Sequence, residues 1–254
     1  MITTLIGAVI IGLALGVLGS GGSILTIPVL VFGLGVAEKT AFASSLIIVG
    51  GIAGFGAVLA AHRGHVAPRC LLVFGLPGIG GAALGGWFAP LAPDWLQMGV
   101  FSALVVAGAW FTWRATMLVS ARPGCGPWQR AAMVGAGIGG LTGFVGVGGG
   151  FLLVPALLRF GGLGLDRAVG TSLVLVTLNC AIGLAGQLAG PAPALLPTGT
   201  LLAFMAAGIA GLLAGRHYGR HVPPEMARYA FIALLGAIAV YTRWHTLAGA
   251  TTGG

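Results

Sequence analysis

The sequence predicts an all-α polytopic membrane protein made of two inverted-topology repeats. Each repeat is a glycine-tipped broken or re-entrant helix hairpin followed by three transmembrane helices. Three observations point there: a composition that water cannot solvate, two apolar stretches too long for one crossing, and a self-match at half the chain length.

Over 254 residues, 57% are apolar and only 6% charged, with a mean hydropathy of +1.05, whereas about a quarter of a soluble domain is charged. Apolar segments run at residues 2–36, 40–61, 70–89, 96–119, 129–160, 168–189, 195–214 and 228–247. Six of them have the length of one helix across a hydrocarbon core about 30 Å thick. The first and fifth are too long, since a straight helix of that length reaches roughly 50 Å. They also carry the glycine clusters GVLGSGGSILTIPVL (16–30) and GFVGVGGGFLLVPAL (143–157). No short polar cleavage region follows the first segment, so it is expected to stay in the protein.

Setting residue i against i+127 without a gap pairs Gly16 with Gly143, Gly19 with Gly146, Gly21 with Gly148, Gly22 with Gly149, Pro28 with Pro155, Ser45 with Ser172 and Leu46 with Leu173. Such a match indicates duplication. The expected division is a first repeat at 1–119, a linker at 120–130 (SARPGCGPWQR) and a second repeat at 131–254.

Charge decides how the long segments fold. If each crossed once, Lys and Arg would divide evenly between the faces, against the positive-inside bias. If each is a hairpin returning to its own face, Arg63, Arg69, Arg114, Arg122, Arg130, Arg159, Arg167, Arg216, Arg220 and Arg228 share one face, and only Lys39 and Arg243 take the other. Three crossings then remain per half, an odd number, which inverts one repeat against the other. Both termini are expected outside, with the linker and the loops HRGHVAPR and RHYGRHVPPE in the cytoplasm.

A helix end in hydrocarbon leaves backbone N–H groups unpaired at several kcal/mol each, so a break at membrane depth calls for a ligand or a wet cavity beside it. Glycine lets a backbone donor approach an anion closely. Half-helices starting near Ser23 and Gly150 would turn positive dipole ends toward the two tips, which should meet near the midplane. The candidate substrate-binding residues are therefore Gly19, Ser20, Gly21, Gly22 and Ser23 in one tip and Gly146, Gly148, Gly149 and Gly150 in the other. To these are added the hydroxyl pairs Ser44–Ser45 and Thr171–Ser172, which either donate to substrate oxygens or bond back to their own helix, and Asn179, weighted above Gln187. Pro28 and Pro155 are read as fixing half-helix geometry. Glycines in Gly81xxxGly85, Gly135xxxGly139 and Gly211xxxGly215 are read as helix packing.

Glu38, Asp94, Asp166 and Glu225 all fall at segment ends and every histidine in a predicted loop or at a terminus, so no buried acid is available to shuttle a coupling proton. The net charge of +8 is scattered in short groups and forms no nucleic-acid stripe. Cys70, Cys125 and Cys180 are read as apolar filler, and no metal site or cofactor is called for. A serine enzyme built on Ser20 lacks a base within the membrane segments. A passive anion channel uses the same residues as a carrier and is distinguished by the absence of trans-stimulation.

The motif G-x-G-G-x-x-x-x-x-P followed by T/S-S-L, once per half in GVLGSGGSILTIPVLV…AFASSLIIV and GFVGVGGGFLLVPALL…AVGTSLVLV, resembles the TauE/SafE sulfite exporter family. The first copy departs by Ser44 where the second has Thr171. The resemblance implies a multi-pass protein of the bacterial inner membrane that moves sulfite, sulfonates or related small anions. Its partners would be that anion and the lipid bilayer; self-association is left open.

Overall fold

The computed structural model describes residues 7–13, 21–114, 128–189 and 194–218, all in helices or the short connections between them. α1 covers residues 7–13. α2 changes its winding along its length, from 3₁₀ at Gly21–Leu25 through α at Thr26–Pro28 to π at Val29–Gly33. There follow α3 (Glu38–His62), α4 (Pro68–Phe88), a 3₁₀ turn at Ala89–Leu91, α5 (Asp94–Arg114), α6 (Trp128–Val145), α7 (Gly150–Arg159), α8 (Leu165–Leu188) and α9 (Thr198–Tyr218). Polar residues mark the starts: Glu38, Asp94 and Asp166 stand in first turns, where a carboxylate complements the helix dipole. Pro68 opens α4, where its missing N–H costs nothing.

Four stretches, Glu38–His62, Pro68–Leu91, Leu165–Leu188 and Thr198–His217, are long and apolar enough to cross a membrane. They match four of the single-crossing segments expected from sequence. The last segment, 228–247, and most of the linker lie outside the described residues. Large apolar side chains such as Leu72, Leu76, Leu84, Trp87, Trp95 and Leu202 face outward, as lipid contact requires.

Helix directions follow from which residues touch. Gly50 lies against Cys180, Gly54 against Thr177, Gly56 against Leu173 and Gly170 against the carbonyl of His65, so α3 and α8 run antiparallel. Gly75 meets Leu175, Gly78 meets Asn179 and Gly86 meets Gly183, which makes α4 and α8 parallel. Gly135 abuts Phe74, Gly139 abuts Gly78 and Gly143 abuts Ala82, so α6 is parallel to α4 as well. Here the backbones approach so closely that a Cβ at Gly81, Gly85, Gly135 or Gly139 would strike a carbonyl of the facing helix. Small residues substitute for the hydrophobic drive that lipid cannot supply between helices. Gly12 of α1 touches Gly208 of α9, and Gly211 touches Val9, repeating the device.

The fifth apolar segment is broken where expected, with α6 and α7 separated by residues 146–149, but its arms are unequal. α6, 18 residues, is about 27 Å long and α7, 10 residues, about 15 Å, at 1.5 Å per residue. Gly143 near the end of α6 accepts from Gln187, one residue short of the end of α8. Gly148, five residues later, is already back beside Val176 in the middle of α8. Gly146 still lies against Phe42 near the start of α3, so the chain turns back between Gly146 and Gly148, and α7 starts at half height. In the first half, Gly7 of α1 lies against Val29 of α2.

Cys180 is a free, buried thiol, as filler should be. Cys70 is disulfide-bonded, so the filler reading fails there.

Candidate substrate site at the broken helices

Breaking a helix leaves carbonyls at one end and amides at the other without partners. At the end of α6 the carbonyls are taken up in sequence. Gly146 N–H donates to Thr142 O at 2.8 Å, Gln187 Nε2 to Gly143 O at 3.1 Å, and Gln97 Nε2 to Phe144 O at 3.0 Å. Ser45 Oγ donates to the carbonyl of Gly146 and lies 2.8 Å from Phe42 O as well. The turn itself needs glycine: Gly146 has φ 73° and Gly149 φ 58°, and a Cβ at Gly149 would collide with Thr142 Oγ1. Gly149 ends the reversal as the residue capping α7, and its carbonyl accepts from Leu152 and Leu153, both at 3.1 Å. The first turn of α7 thus opens at half height with its N–H end toward the break.

The first-half segment meets this point. A Cβ at Gly148 would lie 3.2 Å from the Cβ of Ser23 and 3.2 Å from Val176 Cγ1, with Val49 on the remaining side. Ser23 is fully buried. The start of α2 and the start of α7 thus come together between the middles of α3 and α8, and no Lys or Arg stands there: among the described residues the charged side chains sit at helix ends.

The hydroxyl pairs have protein partners of an unexpected kind. Ser44 Oγ accepts from Leu196 N–H at 3.1 Å, and Thr171 Oγ1 from Ala67 N–H at 3.0 Å. In each pair the first hydroxyl serves the backbone of the opposite half, not its own helix. Of the second hydroxyls, Ser172 Oγ donates to Val169 O at 2.8 Å within its own helix, whereas Ser45 Oγ gives its one hydrogen to Gly146 O, with Phe42 O close by.

Of the sequence candidates, the structure brings together Gly146, Gly148, Gly149, Gly150 and Ser23, with Gly21 and Gly22 in the 3₁₀ turn that carries Ser23. Gly19 and Ser20 lie outside the described residues. Asn179 is buried one turn beyond Val176, beside Gly78, and its Oδ1 has no partner among the described residues. Gln187 is a structural donor to the end of α6. Sequence reading passed over Gln97, which stands near the start of a segment and shows no periodic signal, and Thr26, buried on α2 with Oγ1 unpartnered among the described residues. Val49 and Val176, the walls beside Gly148, are indistinguishable in sequence from ordinary lipid-facing valines.

The helix directions also gather charge. The end of α3, the starts of α4, α6 and α8, and the ends of α7 and α9 lie at one end of the bundle, carrying Arg63, Arg69, Arg130, Arg159, Arg167 and Arg216. At the other end are Glu38, Lys39 and Asp94, with Lys39 Nζ 3.5 Å from Asp94 Oδ1.

An apolar helical bundle interrupted at half height, with polar backbone turned inward and its arginines at one end, has the build of a multi-pass membrane transporter. The chain belongs to the TauE/SafE sulfite exporter family, whose model matches residues 4–242. It is 30% identical to proteins named "Probable membrane transporter protein" from two strains of Xylella fastidiosa, 9a5c and Temecula1, over 98% of this chain and 97% of each relative. No solved structure matches the chain.

Proposed function

We propose that this protein is a secondary transporter that exports small sulfur-containing or organic anions, such as sulfite or sulfonates, across the bacterial inner membrane. The anion is held between the starts of α2 and α7 by main-chain N–H groups of Gly21, Gly22 and Gly148, with Ser23, Gly149 and Gly150 forming the backbone around it and the Gly149 N–H turned to Val147 O. Gly146 shapes the turn before α7, Asn179 closes the site from α8, and the hydroxyl pairs Ser44–Ser45 and Thr171–Ser172 flank it toward the two ends of the bundle; Gly19 and Ser20, outside the described residues, are included on the sequence motif alone. The observation that carries this reading is the approach of Ser23 to Gly148 between Val49 and Val176. Two dipole ends aimed at one buried point attract an anion without a cationic side chain that would hold it too tightly to release. The partnerless oxygen of Asn179 fits a space that water or substrate fills.

Topology follows the same reading. α6 starts, and α8 starts, at the arginine-bearing end, so the α6–α7 segment is taken as re-entrant. The contact of Gly7 with Val29 supports the same for the first half. α3 and α8 hold matching places in repeats 1–119 and 131–254, and their antiparallel packing supports inverted repeats about an axis in the membrane plane. The arginine end is then cytoplasmic and both termini are periplasmic.

Flux into and out of proteoliposomes with sulfite, thiosulfate, sulfoacetate and acetate tests the proposal. A carrier shows saturable flux of at least one sulfur oxyanion, accelerated by the same anion on the opposite side. Flux without trans-stimulation makes it a channel; no flux of any of the four refutes the substrate class.

A further inference from the structure

The T/S-S-L motif is only partly absorbed by a binding role, because its first hydroxyl in each half already has a long-range partner. Ser44 Oγ holds the N–H of Leu196, and Thr171 Oγ1 holds the N–H of Ala67. All four groups lie at matched places. Ser44 and Thr171 are six residues into α3 and α8 and both fully buried. Leu196 and Ala67 each precede a proline, Pro197 and Pro68, at the entry of α9 and of α4. A residue before proline is held extended and cannot join the following helix, so its N–H must find a partner elsewhere, and the hydroxyl of the other half supplies it. Because α3 and α8 are antiparallel, the bonds sit at opposite ends of the bundle: Thr171–Ala67 at the arginine-bearing end, Ser44–Leu196 at the Lys39–Asp94 end. Between them the starts of α2 and α7 meet.

We propose that Ser44 and Thr171 are positioning residues forming two latches, one at each mouth of the transport path, and that the carrier opens one mouth by releasing its latch while the other stays closed. The proposal rests on the inverted-repeat carrier reading above. Each bond ties a helix of one repeat to the entry of a helix of the other, so it must lengthen when that mouth's repeats part. A pocket served by two mouths leaks unless the two bonds are broken in alternation. One bond per mouth is a suitable energy scale, since losing a single buried hydrogen bond shifts a two-state population by about fivefold.

Amide hydrogen exchange on the full chain in lipid nanodiscs reads this without a substrate. Thr171→Val is expected to speed exchange in residues 65–67 by about fivefold and to slow it in 194–196, the scale of one bond redistributing two states. Ser44→Val should do the reverse, and Thr171→Ser should restore the wild-type pattern. A bond with a local structural role only would loosen its own end and leave the far end unchanged. That result, or loosening at both ends in both variants, overturns the proposal. Failure of the anion-export reading would appear instead as absent flux in the wild type, with the reciprocal exchange pattern intact.

Discussion

At the scale of single residues, Gly149 is constrained twice over. Its backbone is left-handed and its missing side chain makes room for Thr142 Oγ1. Gly149→Ala should destabilise the turn by about 1–2 kcal/mol through the left-handed conformation alone, with the steric clash added, and should abolish transport while the protein still inserts; vesicle flux beside a membrane-fraction blot measures both. The two glutamines make a different prediction. Gln97→Leu or Gln187→Leu leaves a carbonyl of Phe144 or Gly143 unpaired in an apolar interior, costing about 1–3 kcal/mol, so each should lower the melting temperature in detergent. An unchanged melting temperature in both would mean water replaces the amides. The glycines that break the helix were legible in sequence, because density and duplication single them out. The groups that satisfy the broken ends were not, since Gln97 is 47 residues from Phe144 and only the folded chain brings them together. Ser44 and Thr171 were legible as a pair but not in role, because a hydroxyl's partner is set by tertiary packing.

At the scale of elements, α4 and α6 approach backbone to backbone at Gly81, Gly85, Gly135, Gly139 and Gly143. Gly139 faces the carbonyl of Gly78, whereas Gly137, two residues away on the same helix, has nothing within 4 Å. Gly139→Leu should prevent assembly or collapse the yield of folded protein, while Gly137→Leu should be tolerated; size-exclusion profiles of the two variants decide. Equal behaviour would show that the close approach is not what holds these helices. The over-long fifth segment announced its own break, and the break fell at 146–149. What length and composition left open was the inequality of the arms, which arises because α6 packs against α4 along nearly its whole length while α7 is only 10 residues long. The shift of α2 from 3₁₀ to π winding around Pro28 is likewise invisible to a hydropathy pattern.

At the scale of the whole molecule, two forces bear on orientation. The arginines gathered at one end by α3, α4, α6, α7, α8 and α9 favour, by the positive-inside bias, the cytoplasmic placement of that end proposed above. The disulfide at Cys70, at the start of α4 and so at the same end, is of a kind that reducing compartments disfavour. The charge argument rests on many residues and the bond on one, so the proposed orientation keeps the arginine end cytoplasmic. Labelling of Val66→Cys in a chain whose native cysteines are replaced by serine should accordingly occur from the cytoplasmic side with a membrane-impermeant maleimide; labelling only from the periplasmic side reverses the orientation and leaves the bundle unchanged. On the reading proposed above, transport depends on the meeting of the starts of α2 and α7, and equilibrium binding tests it most directly. Purified protein and its Gly148→Val variant, which crowds Ser23, Val49 and Val176, are titrated with radiolabelled sulfite, thiosulfate, sulfoacetate and acetate. The wild type is expected to bind at least one sulfur oxyanion and the folded variant none; equal binding by both, or by neither, would contradict an anion site between the two helix starts.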